Sequence, residues 1–131
     1  MMFRTRIAAM CSAAALAGLA ATGVANAQEM QKPKAEPVTL TKAQVIDLHC
    51  FTAGGLKGDG HKECAIACAK ANVPLGLLTA DGKVLVPVQT VPMQDQNPKL
   101  QPFAEQLVNV KGKLVKGPGI TGIIIDEVTK A

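Results

Sequence analysis

The sequence predicts a mostly β domain of the α+β class, a small five-stranded barrel with short helices, and three observations predict it. Apolar and polar residues alternate over several short stretches rich in Val, Ile and Leu, the period of half-buried strands. Glycine, proline and Asp-Gly punctuation separates those stretches at short intervals. The 131-residue chain is 48% apolar but only 2% aromatic, with no Trp or Tyr, so it can build one core of modest aliphatic side chains. The same scarcity removes the stacking surfaces on which recognition of single-stranded nucleic acid and sugars rests, and it argues against a large active-site cavity.

The first strand is expected to run from Val38 to Cys50. Val38, Leu40, Ile46, Leu48 and Cys50 take even positions with Thr39, Thr41, Asp47 and His49 between them, which points Cys50 to the core. The stretch from Phe51 to Gly60 contains Gly54, Gly55, Gly58 and Gly60 and is expected to hold no regular structure. A helix follows from His61 to Ala71: Asp59 or Gly60 caps it, Glu63 lies in its first turn, Lys70 near its last, and Asn72 and Pro74 stop it. Leu75 to Thr79 and Val84 to Val88 form a hairpin around Asp81-Gly82, with Pro87 and Pro92 marking its exit. A short helix is expected from Asn97 to Glu105, with Asn97 as N-cap, Pro98 in the first turn, and Leu100, Phe103 and Ala104 facing inward. The last two strands, Leu107 to Val115 and Ile120 to Val128, flank Gly117-Pro118-Gly119, and Val108, Val110 and Leu114 share one face.

Five strands with a short helix between the third and fourth is the order of the OB-fold, so the barrel is expected to be OB-like. The helix after His61 is then an insertion between strands one and two. In OB-folds that connection and the one between strands four and five flank the binding face, which places the insertion at the functional edge.

Residues 1–27 read as a cleavable export signal. Arg4 and Arg6 start it, Ile7 to Val24 is small or apolar, and Ala25-Asn26-Ala27 before Gln28 is the cleavage signature. Residues 28–37 then form a flexible leader and 38–131 a single OB-like domain in a periplasmic or secreted protein. Cleavage after Ala27 leaves 104 of the 131 residues, with 12 lysines against 10 acidic residues. Nothing in that balance makes a phosphate track, so the expected partner is a metal ion or an exported protein, not nucleic acid, and not a membrane once the signal is gone. The only serine, Ser12, leaves with the signal, which excludes a Ser-His-Asp hydrolase.

Cysteine arithmetic supplies the functional lead. Cys11 leaves with the signal and Cys50, Cys64 and Cys68 stay, an odd number in a compartment that favours disulfides. At about 100° per residue, His61, Cys64 and Cys68 fall within one stripe of a helix. Cys50, ahead of the glycine loop, can fold against that stripe. Three readings follow. Cys50, His61, Cys64 and Cys68 are a Cys₃His donor set for a soft or borderline ion, Zn or Cu, with Asp47 and His49 behind the ligands or at the surface. In the second, Cys50 pairs with Cys64 or Cys68 in a disulfide that staples the insertion, leaving one thiol. In the third, a cysteine near the helix start with His61 beside it is a redox thiol. The C-x-x-x-C spacing differs from the C-x-x-C of thioredoxin-like proteins, and Ala69 after Cys68 disfavours a covalent haem. Asp126 and Glu127, adjacent on a strand, are expected on opposite faces and so form no acid/base pair. No catalytic residue emerges, and the expectation is a binding module rather than an enzyme.

Asp47-x-x-Cys50, the glycine loop, His61-x-x-Cys64-Ala65-x-x-Cys68, Pro74-x-Gly76-Leu77-Leu78 and Asp81-Gly82-Lys83 together resemble a family of small exported bacterial proteins, over about residues 45–128. The chain is also broadly similar to bacterial OB-fold proteins of the periplasm. These resemblances imply export and an OB-like barrel and carry no activity.

Overall fold

A computed structural model describes residues 34–131. The stretch read as an export signal, 1–27, and the part of the expected leader up to residue 33 lie outside the described residues.

Strand β1, Ala35–Asp47, pairs antiparallel with β2, Leu75–Leu78, on one edge and with β4, Leu107–Gly117, on the other. Strand β3, Val84–Pro87, pairs antiparallel with β2 and parallel with β5, Ile120–Lys130, which returns antiparallel along β4. The result is a closed OB-like barrel in the order β1-β2-β3-β5-β4. Aliphatic side chains fill it: Val45, Leu77, Leu100, Val108, Val110 and Ile123 are fully buried, and Phe103 and Leu114 pack against them. Ala104 is buried too, so the inward positions expected around the second helix and on β4 are the ones observed.

Strand β1 departs from the simple alternation in two ways. It begins at Ala35, inside the stretch read as leader, because Ala35, Glu36 and Pro37 pair with Val115, Leu114 and Lys113. Its register then slips: Leu40 faces Val110 and Ala43 faces Val108, so β1 spends three steps where β4 spends two. This bulge centres on Lys42, whose φ is +53° and whose N–H donates to Asn109 Oδ1 at 3.1 Å. Past it Ala43 and Val45 take the positions inside the barrel cluster, while Ile46 is fully buried outside that cluster. A second slip between Lys111 and Gly112 turns both Asp126 and Glu127 outward, onto Lys113 and Lys111, where opposite faces were expected.

Strand β1 ends at Asp47 and does not reach Cys50. A seven-residue helix, α1, spans Leu48–Gly54, so Cys50 is helical and not the core-facing end of β1, and the glycine stretch is regular up to Gly54. Two caps explain it. Asp47 is extended and its Oδ1 accepts from the Cys50 N–H at 3.0 Å. Gly55 takes the left-handed conformation, φ +67°, and its N–H returns to the last helical carbonyls. Leu48 ties the helix to β2: its N–H donates to the Pro74 carbonyl at 3.1 Å, and its side chain covers Gly76, where a Cβ would meet Leu48 Cγ at 2.9 Å.

A 3₁₀ turn, Asp59–His61, leads into α2, Lys62–Lys70. Ala65 and Ala69 are its buried residues, and their small side chains let the helix lie close to the barrel. Asn72, at φ +64°, ends it as expected. The second predicted helix is interrupted: α3 covers Asn97–Leu100 and a 3₁₀ turn covers Gln101–Phe103, where Pro102 cannot donate to a helical ladder. Asn97 does not cap its own helix. Its buried side chain accepts from the Leu75 N–H and donates to the Ala69 and Val73 carbonyls, linking α2 to β2.

Candidate metal centre

The described cysteines converge. Cys50 on α1 and Cys64 and Cys68, one turn apart on α2, place their sulfur atoms within 4.8 Å of one another. All three are free thiols; Cys50 and Cys68 are half-buried and Cys64 is exposed. The three sulfurs are therefore close enough to hold a metal ion.

His61 does not belong to the cluster, contrary to the Cys₃His expectation. It lies in the 3₁₀ turn, with φ −105° and ψ −5°, so the 100° spacing that aligned it with Cys64 does not apply. Its ring turns the other way, and Nδ1 donates to Glu105 Oε1 at 3.1 Å in a buried pair. Glu105 was not anticipated as more than a helix end. It takes a left-handed backbone, φ +60°, just before β4, and its side chain is fully buried. Oε2 accepts from the Gly58 N–H at 2.7 Å and from Gln44 Nε2 at 3.4 Å, while Oε1 also takes the Asp47 N–H at 3.4 Å. One carboxylate thus fastens the glycine segment, the start of α2 and the end of β1. Nothing in the local sequence signals this role, because it depends on contacts 44 to 61 residues away.

Asp47 lies near Cys50 and Cys68. It is fully buried and Oδ1 caps α1; Oδ2 has no hydrogen-bond partner among the described residues, and Cys68 lies near enough to the carboxylate for the two to shift one another's pKa. Burial raises its pKa, but the Cys50 amide, the Cys68 thiol, the His49 amide and the field of His61 outweigh burial and hold it below 3.8. The same proximity works in reverse on the thiols. The Asp47 carboxylate as a nearby acceptor, then desolvation and the carboxylate's charge, push Cys68 up to about 12, and desolvation followed by Asp47 and Cys64 raises Cys50 above 9.0. These shifts disfavour Cys50 and Cys68 as the first nucleophile toward a reagent from solvent. His49 is exposed on α1.

The insertion and the β4–β5 turn do share one concavity, as the OB-like placement implies. Leu48 and Thr52 of α1, Val84 and Val86 of β3, and Gly119 and Ile120 of the turn line an open groove of about 890 Å³. The cysteines lie outside it. Among the described residues no helix is long and apolar enough to cross a membrane.

Three thiolates suit soft or borderline ions. A tetrahedral Zn–S distance of about 2.3 Å sets sulfurs about 3.8 Å apart, so the observed separations close by small side-chain adjustments. No His, Asp or Glu of the described residues joins the three sulfurs as a fourth donor. Neither a protein-family model, nor a curated protein, nor a solved structure matches this chain, so the chemistry of the centre rests on its own geometry.

Proposed function

We propose that this chain is an exported binding module that holds a thiophilic transition metal, Zn(II) or Cu(I), on Cys50, Cys64 and Cys68. The mutual proximity of the three sulfurs carries the reading. Cu(I) is satisfied by three thiolates, whereas Zn(II) takes a fourth ligand from outside the described residues, on the exposed Cys64 side. Loading displaces the thiol protons, while the Cys50 N–H stays on Asp47 Oδ1 to orient α1. The role is binding, not catalysis. Arg4, Arg6, the apolar run and Ala25-Asn26-Ala27 support export, and the resemblance to small exported bacterial proteins agrees.

Metal analysis of reduced protein after loading and desalting tests this directly. About one equivalent of Zn or Cu per chain is expected, lost in Cys64→Ser and Cys68→Ser and kept in His61→Gln. A reduced wild-type protein that retains neither ion overturns the reading. A disulfide-stapled interaction domain is the alternative that the same proximity favours. Its signature is an isolated protein two protons lighter, with one alkylatable thiol among Cys50, Cys64 and Cys68.

A further inference from the structure

Three sulfurs within 4.8 Å of one another offer three disulfide pairings, and helix geometry separates them. Cys64 and Cys68 stand four apart on α2, where Cβ atoms are about 5–6 Å apart. A disulfide needs about 3.5–4.5 Å, so this pair closes only by distorting a helix whose Ala65 and Ala69 are locked against the barrel. Cys50 has no such constraint. Its helix buries no residue, and the chain that follows, Gly54 to Lys57, is exposed, so α1 can shift toward α2. Of the two sulfurs Cys50 can reach, Cys64 is exposed and Cys68 is half-buried. A reagent from solvent meets Cys64 first.

We infer that Cys50 and Cys64 form the redox-active pair of the cluster and Cys68 is the spectator thiol, so that a disulfide oxidant converts the centre to a state that holds no metal. The oxidant is a protein or small-molecule disulfide. Cys64 thiolate attacks one of its sulfurs, making a mixed disulfide and releasing the first thiolate. Cys50 thiolate then attacks Cys64 Sγ, making the Cys50–Cys64 bond and releasing the second. Two thiols of the protein lose two electrons and two protons, and the oxidant gains them as two thiols. One sulfur remains, too few for the ion. The loss of metal rests on the proposed metal reading; the pairing does not.

The test treats reduced, metal-free protein with oxidised glutathione, alkylates it, and maps the unreduced peptides by mass spectrometry. The expected product links Cys50 to Cys64 with Cys68 alkylated. Cys50→Ser should stop at glutathione on Cys64, and Cys68→Ser should still form the link. A dominant Cys64–Cys68 or Cys50–Cys68 link, or glutathione that stays on wild-type Cys64, overturns the pairing. Zn(II) titration then separates the two ideas. Reduced protein that takes no Zn(II) or Cu(I) removes the metal reading and, with it, the loss of metal, while the peptide map still decides the pairing. Oxidised protein that binds as well as reduced protein overturns the exclusion of metal by the disulfide.

Discussion

Along β4 and β5 the barrel pairs two eleven-residue strands and buries Val108, Val110, Ile123 and Ile125 between them. In the insertion, α1 buries nothing, α2 buries two alanines, and the segment between them hangs on the Glu105 carboxylate through Gly58 and His61. Each fully buried Val or Ile contributes about 1.5–3 kcal/mol by leaving water, and such terms are spread over the whole barrel. The insertion draws on few apolar contacts and on a small set of buried polar ones, each costly to leave unmade. The sulfur cluster therefore sits in the part that can open locally without unfolding the barrel, where a bound ion or a disulfide can set the stability of the site and leave the fold unchanged.

The strongest way to break that contrast is to damage each region by its own physics. Ile123→Ala removes buried methylenes from the barrel and should cost about 2–5 kcal/mol globally, with amide exchange accelerating in β4, β5 and the insertion alike. Glu105→Gln keeps the shape but replaces an oxygen with an NH₂ group, leaving the Gly58 N–H or Gln44 Nε2 facing another donor. About 3 kcal/mol is expected from the broken buried pair, confined to the segment from Leu48 to Lys70. Hydrogen exchange read by peptide should show the insertion opening while β4 and β5 keep their protection. Equal losses in both regions would mean that insertion and barrel form one cooperative unit.

The same contrast explains what could be read from the sequence. Barrel elements were legible because burial imprints a period of two on β4 and β5, and Asp81-Gly82 marks the hairpin. The bulge at Lys42 was not, since Leu40 and Ile46 keep an even-numbered rhythm in sequence that the structure breaks between them. At the site, the convergence of Cys50, Cys64 and Cys68 was legible from helical spacing and the glycine loop. The exclusion of His61 was not, because its partner Glu105 is 44 residues away and a 3₁₀ turn breaks the extrapolated spacing. The helical state of Cys50 did have a signal: Asp47 and Gly55 are an N-cap residue and a left-handed glycine bracketing seven residues.

A smaller effect should come from the seam between the two regions. Gly76 on β2 lies under Leu48, and the Cβ of Gly76→Ala would press on a side chain at the first turn of α1 while also nearing the Leu85 carbonyl at 3.3 Å. Overpacking of this kind costs about 1–3 kcal/mol. Because Leu48 and Cys50 share a turn, the substitution should also spread the sulfurs and weaken Zn(II) binding by roughly tenfold, equivalent to about 1.4 kcal/mol. Competition with a chromophoric chelator reads that shift. A destabilised protein with unchanged affinity would show that α1 positions Cys50 independently of its seat on β2.

The smallest effect is a pH dependence confined to the insertion. In the reduced, metal-free protein the thiols of Cys50 and Cys68 both titrate above 9.0, Cys68 at about 12. A raised folded pKa stabilises the folded state fully below the unfolded value, and that contribution is lost as pH climbs toward the folded one. Between pH 9.0 and about 12 the unfolded chain ionises thiols that the folded chain must keep protonated against Asp47, so the insertion loosens with rising alkalinity. Trypsin nicking at Lys57 or Lys62, followed at pH 8.5 and 10 under reductant, should accelerate relative to a barrel peptide, and Cys68→Ser should flatten the rise. Asp47 has the opposite sign: its lowered pKa stabilises the insertion above 3.8, and that support disappears as pH falls through the folded value. Zn(II) or Cu(I) removes the alkaline limb, since bound sulfurs have already given up their protons. An alkaline loss that persists unchanged in Cys68→Ser and with metal would locate its origin in the barrel, and the division between a hydrophobic barrel and a polar, sulfur-bearing insertion would fail at its most sensitive point.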